Sequence, residues 1–118
     1  MNSVINKNGT KFWYNSDGEY HREDGPAIEH AGGSKEWCKH GKWHREDGPA
    51  VEYANGSKEW YKHGKLHRED GPALEYIIGY KKYYLEDIEY KEEEYWEKIK
   101  ELKKCKLFKL KNKRINWI

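Results

Sequence analysis

His44-Arg45-Glu46-Asp47-Gly48-Pro49-Ala50 is the stretch that decides how this chain folds. The same seven residues stand at His21–Ala27 and at His67–Ala73, so each copy follows the last by 23 residues. Between the copies runs a second phrase, Gly33-Ser34-Lys35-Glu36-Trp37, which returns as Gly56-Ser57-Lys58-Glu59-Trp60. Self-similarity at a short fixed period is the mark of a repeat array, in which each unit buries its apolar face only against its neighbours.

Inside the unit, Asn55-Gly56 separates two short β-prone runs, Ala50–Ala54 and Ser57–Tyr61. Asn-Gly in that setting predicts a two-residue type I′ hairpin, because both central residues need positive φ. Gly32-Gly33 takes the same place one repeat earlier, and a second turn follows at His40-Gly41-Lys42 and His63-Gly64-Lys65. A two-residue loop places Val51 opposite Trp60, Glu52 opposite Glu59, Ile28 opposite Trp37 and Glu29 opposite Glu36. Alternation then collects Ile28, Trp37, Val51, Trp60, Leu74 and Tyr83 on one face, the expected core stripe. The facing glutamates are a cost to the sheet unless a cation such as Arg45 or Arg68 intervenes.

Residues 1–20 read as a worn first repeat. Trp13 lies five residues before Gly18, where Trp37 and Trp60 lie four before their glycines, so the first turn holds one extra residue. The fourth repeat begins normally at Leu74, and the turn glycine is missing at Asp87. From about Tyr90 to Lys104 the spacing becomes helical, with Tyr95, Ile99 and Leu102 on one side and Trp96 beside them. Glu92, Glu93 and Glu94 lead this segment and Lys103 and Lys104 trail it, which suits a helix dipole. The pattern of Cys105–Ile118 leaves strand and further helix both open. The expected fold is α+β and mainly β: a single-layer antiparallel β-meander of repeated hairpins capped by a C-terminal helix. The array of about 3.5 repeats spans 1–87, and 88–118 supplies the cap and a basic tail of the same domain.

The chain has 118 residues, of which 36% are hydrophobic and 15% aromatic, including six Trp and ten Tyr. A core built from large rings follows, and this aromatic content argues against disorder despite 37% charged residues. A net charge of +2 gives no global field for nucleic acid; only the tail Lys103–Arg114, without an acid after Glu101, offers phosphate contacts. Two cysteines, Cys38 and Cys105, are too few for a disulfide framework, and no apolar run reaches the ~18 residues of a membrane span. The expected location is the cytoplasm, without membrane contact.

No catalytic residue is expected: the serines lie at the terminus or in turns, and no nucleophile elbow, dinucleotide fingerprint or phosphate loop is present. A loop present three times reads as scaffold rather than as an active centre. Metal readings compete at the glutamate pairs and at His40/His44 and His63/His67 with Cys38 nearby, but a glycine turn interrupts each histidine pair. Neither a metal nor another cofactor is expected. Binding residues are sought where repeats differ: Tyr20, Trp43 and Leu66 beside the loop, and Tyr14, Cys38, Tyr61 and Tyr84 on the face opposite the stripe. Arg45 and Arg68 join them as cations.

The 23-residue period with one hairpin per repeat resembles MORN repeats. The His-Arg-Glu-Asp-Gly-Pro-Ala phrase followed by an Asn-Gly-Ser-Lys-Glu-Trp-Tyr strand is closer still to MORN-like repeats of bacteriophage and giant-virus proteins, over roughly residues 8–84. The Tyr-x-Gly signature of ordinary MORN repeats is absent. The resemblance implies a small viral accessory protein, placed in the host cytoplasm. With the rigid aromatic sheet, it leads to the expectation of a non-enzymatic module that binds and inhibits a host or defence protein. Two alternatives stand beside it: a protein that sequesters a small nucleotide signal, using rings for bases and Arg or Lys for phosphate, and a scaffold that self-assembles into homo-oligomers.

Overall fold

The computed structural model describes residues 2–115, those after Leu110 by backbone alone. The meander opens with β1 (Asn2–Ile5) and β2 (Lys11–Tyr14), followed by β3 (Ile28–Glu29) and β4 (Lys35–Glu36). Short hairpins β5/β6 (Cys38–Lys39, Lys42–Trp43) and β9/β10 (Tyr61–Lys62, Lys65–Leu66) branch from it. The remaining strands are β7 (Val51–Glu52), β8 (Lys58–Glu59), β11 (Leu74–Glu75), β12 (Lys81–Leu85) and β13 (Ile88–Tyr90). Nine of them form one antiparallel sheet in the order β1-β2-β3-β4-β7-β8-β11-β12-β13. The molecule measures 58 × 41 × 18 Å, the shortest extent reflecting its single layer.

The turns are not the expected ones. Tyr53 and Ser57 close a three-residue loop, with the Tyr53 N–H on Ser57 O (2.9 Å) and the Gly56 N–H on Tyr53 O (2.9 Å). Gly56 alone in the loop has positive φ, at 96°. This is a type I turn with a glycine bulge rather than a type I′ turn. The extra loop residue shifts register by one: Val51 faces Glu59 and Glu52 faces Lys58. The type I′ turns lie at the other end of the unit, where His40-Gly41 and His63-Gly64 have φ of 51°, 77°, 52° and 79°. Glu86-Asp87 continues that series with φ of 48° and 67°, so Asp87 turns the chain in place of a glycine. The β array therefore runs on through β13 to Tyr90, past the expected boundary at 87.

The one-residue shift overturns the expected stripe, because a slip of one moves a strand's side chains to the opposite face. Ile28, Val51 and Leu74 share one face with Glu36 and Glu59; Trp37, Trp60 and Tyr83 lie on the other. It also removes the facing glutamates. Opposite one another across seven strands stand Lys11, Glu29, Lys35, Glu52, Lys58, Glu75 and Lys81, a ladder of alternating charge in which every neighbour attracts. The first repeat has its extra residue as expected, since Asn15 and Glu19 close a three-residue loop where Lys39 and Lys42 close a two-residue one.

Repeats are tied to one another at both ends. The hydroxyls of Thr10, Ser34 and Ser57 accept the N–H of Ala31, Ala54 and Ile77 in the following repeat. At the other end, Nδ1 of His21, His44 and His67 accepts the N–H of His40, His63 and Glu86. Arg22, Arg45 and Arg68 lie 3.9, 3.8 and 3.8 Å above the rings of Trp13, Trp37 and Trp60. Few aliphatic side chains are needed when each rung is held by stacking and shared hydrogen bonds.

α1 (Glu92–Ile115) carries its three acids in the first turn and resolves most of the tail as helix; Asn116, Trp117 and Ile118 lie outside the described residues. It docks at the end of the array, against β12 and β13, on the side of the sheet that carries Tyr83. Tyr95 and Ile99 are buried there with Leu85, and Tyr83, Tyr90 and Leu102 pack around them. Burial of Leu85 and Ile99 stabilises the cap by about 1.5–3 kcal/mol each. Trp96 lies on the flank, 38% exposed and edge-on to Tyr95. Among the described residues no helix is long and apolar enough to cross a membrane.

Candidate functional site

The residues nominated from repeat variation fall on one face, and the two arginines on the other. Tyr14 bridges to Tyr20, Cys38 pairs with Trp43, and Tyr61 pairs with Leu66, so each variable pair is a cross-strand neighbour. The rings of Tyr14 and Tyr20 stack at 5.2 Å with Phe12 beside them, and Trp43 meets Tyr61 at 4.8 Å. Tyr20 is 37% and Trp43 39% exposed. Between them lies a shallow hollow of about 370 Å³ floored by Ile28 and Cys38. Tyr84 sits further along the array, half-buried, its hydroxyl directed to Glu89 at 3.4 Å.

Two carboxylates are set into this face, Glu36 and Glu59, which the sequence pattern places in facing pairs rather than as acceptors for the rings. Glu59 is 7% exposed and accepts hydrogen bonds from three phenols: Tyr61 (2.8 Å), Tyr53 (2.9 Å) and Tyr76 (2.7 Å). Glu36 accepts the indole N–H of Trp43 at 2.7 Å and contacts His30 Nε2. Glu36 and Glu59 could have been found only from the correct register, which places each beside Ile28 or Val51. Burial, followed by the bond to Glu59, pushes the Tyr53 phenol up to about 12, and the same two causes raise Tyr61. Tyr76 is raised chiefly by its bond to Glu59. Burial, with help from Glu36, pushes the Cys38 thiol up to about 12. These groups stay protonated at neutral pH, so they stand on this face as hydrogen-bond donors.

On the opposite face Arg45 uses two of its three nitrogens within its own repeat. It lies on Trp37, its Nε donates to Asp47 (3.1 Å), and its Nη1 donates to Pro49 O (3.1 Å) and Glu52 (3.3 Å). Arg68 repeats this with Trp60, Asp70, Pro72 and Glu75. The Asp carboxylate thus bonds the arginine side chain, and the glycine before each proline lies against it: a Cβ at Gly48 would come 3.0 Å from the Arg45 Cζ. A groove of about 620 Å³ runs beside the loop Arg22–Pro26 over Trp37, and another of the same size runs beside Arg45–Pro49 over Trp60.

The histidine spacing does not bring His40 to His44. The His21 ring meets His40 at 4.6 Å and His44 meets His63 at 4.4 Å, both tilted, each pair 19 residues apart. With Nδ1 accepting a backbone N–H, the ring carries its proton on Nε2, which meets Glu23 or Glu46 at 2.7 Å. Glu29 and Glu36 lie on opposite faces, as do Glu52 and Glu59. Among the described residues no three His, Cys, Asp or Glu side chains are grouped to hold a metal ion. Part of the basic tail is used internally, since Lys106 donates to Glu69 at 2.8 Å.

No family model, no curated protein sequence and no solved structure matches this chain.

Proposed function

We propose that the chain is a MORN-like, non-catalytic protein-binding module whose aromatic face engages a partner protein. The observation that carries this reading is a run of rings on a sheet otherwise uniform from repeat to repeat: Tyr20 and Trp43 exposed, with Tyr14 and Tyr61 half-buried against them. Large, stiff, amphipathic rings give contact area at little entropic cost, and a cluster of them on a small protein marks a contact surface. Glu36 and Glu59 hold Trp43 and Tyr61 by hydrogen bonds, so the face is preorganised. The repeat phrase supports a viral accessory role, in which the partner is a host or defence component that the module inhibits. Arg45 and Arg68 lend less to a nucleotide-binding reading, because the Nε and Nη1 of each are already paired with acids and a carbonyl, which leaves Nη2 for a phosphate.

The test compares affinity capture from host extract by the wild-type chain and by Trp43→Ala and Tyr20→Ala chains. A species retained by the wild type and lost from both variants, with melting temperatures within a few degrees, supports the reading. Equal capture by all three overturns it.

A further inference from the structure

The loop Arg68–Pro72 is covered by the chain's own helix. The Tyr95 hydroxyl donates to Arg68 O and accepts the Gly71 N–H at 3.2 Å. Its ring lies on Tyr83 at 4.8 Å, and the side chain is wholly buried with Leu85 and Ile99. Tyr83 stands where Trp37 and Trp60 stand in the earlier repeats, and Leu85 where Lys39 and Lys62 stand.

The two earlier loops are built alike. Arg Nε to Asp measures 2.9, 3.1 and 2.9 Å along the three copies, and Arg Nη1 to the proline carbonyl 3.2, 3.1 and 3.0 Å. In the first two, the Arg22 and Arg45 carbonyls and the Gly25 and Gly48 N–H groups have no hydrogen-bond partner among the described residues. These are the groups that Tyr95 satisfies in the third. Each borders one of the 620 Å³ grooves.

We infer that these two grooves are docking sites for a partner helix that presents a tyrosine, the phenol bonding the Arg carbonyl and Gly N–H as Tyr95 does. The third groove is the template. The difference at its wall names a second feature of the partner. Ile99, four residues after Tyr95, packs with Leu85; in the open grooves that wall is Lys62, 3.4 Å from Glu46, or Lys39, 3.4 Å from Glu23. A lysine there favours an acid over an aliphatic residue. The motif is therefore Tyr-x-x-x-Glu or Tyr-x-x-x-Asp on one face of a helix. A second copy of this chain is a poor occupant, since its own Tyr95 is buried and its position four residues on is Ile99. The grooves lie on the face opposite the aromatic strip, so the inference is independent of that surface.

The test uses the full-length protein and synthetic peptides of residues 91–104, one with the native Ile99 and one with Ile99→Glu, titrated by NMR. We expect the Ile99→Glu peptide to shift the Gly25 and Gly48 amide resonances and to bind about tenfold more tightly than the native peptide. Lys39→Leu/Lys62→Leu protein should reverse that preference. Tyr95→Phe within either peptide should weaken binding about tenfold, one buried hydrogen-bonding group being lost. Equal binding of the Tyr and Phe peptides would overturn the inference. So would shifts at Gly71, which mean displacement of α1, shifts confined to the aromatic face, or no binding to either protein.

Discussion

His44 Nδ1 accepts the backbone N–H of His63 at 2.9 Å, across 19 residues of chain. The donor residue has φ of 52°, so one buried imidazole pins the left-handed turn of the next repeat while its Nε2 holds Glu46. His21 and His67 do the same for His40 and Glu86. The invariant histidine of the repeat is a keystone between units rather than a ligand.

Replacing His44 by Ala should therefore cost about 2–3 kcal/mol, the sum of a cavity and an unpaired N–H at a strained turn. Thermal unfolding should show the loss, and Glu46→Ala, whose own side chain is 65% exposed, should cost far less. A small effect of His44→Ala would place the coupling between repeats elsewhere.

The bulged loop makes a prediction that a type I′ turn does not. Gly33 has φ of 105°, whereas Gly32 lacks positive φ and has open space where a side chain would stand. Gly33→Ala should destabilise by about 1–2 kcal/mol through left-handed strain. Gly32→Ala should instead stabilise by about 0.4–1 kcal/mol by restricting the unfolded chain. Chemical denaturation of the two variants reads the difference in sign.

Glu59→Gln keeps the shape but replaces an acceptor for three phenols with an amide, and should cost about 2–4 kcal/mol. The same cluster sets an alkaline limit. Tyr53 is raised from 10.0 to about 12, so the fold prefers its neutral form. That stability is whole below pH 10 and is lost as pH rises toward about 12. Ultraviolet titration should show phenols ionising late, together with loss of structure, and ionising earlier in Glu59→Gln.

At the acid end the sign is opposite. The Lys106 ammonium, then His67, lowers Glu69 from 4.5 to about 2. Its contribution is present above pH 4.5 and fades as pH falls toward about 2. Lys106→Ala should remove most of this dependence, read as a flatter acid limb in the pH profile of melting temperature.

Much of the architecture was legible along the chain: the 23-residue unit, the hairpin in each unit, the extra residue in the first turn, the change to helix near the end. These are local matters of glycine placement and hydrophobic period, and local chemistry settles them. The variable positions Tyr14, Tyr20, Trp43, Tyr61 and Leu66 were also legible as a set, because repetition makes departures visible. The faces were not. Asn55-Gly56 suits a type I′ turn and a bulged type I turn alike, and the two differ by one residue of register. What separates them lies outside the hairpin: the Ala54 N–H, exposed by the bulged loop, is taken by Ser34 Oγ of the preceding repeat at 3.0 Å. That bond between repeats accompanies the register that puts the tryptophans under the arginines and lets opposite charges face each other. Only the assembled array could decide which side of the sheet is aromatic, because a strand two residues long has no face until its neighbours give it one.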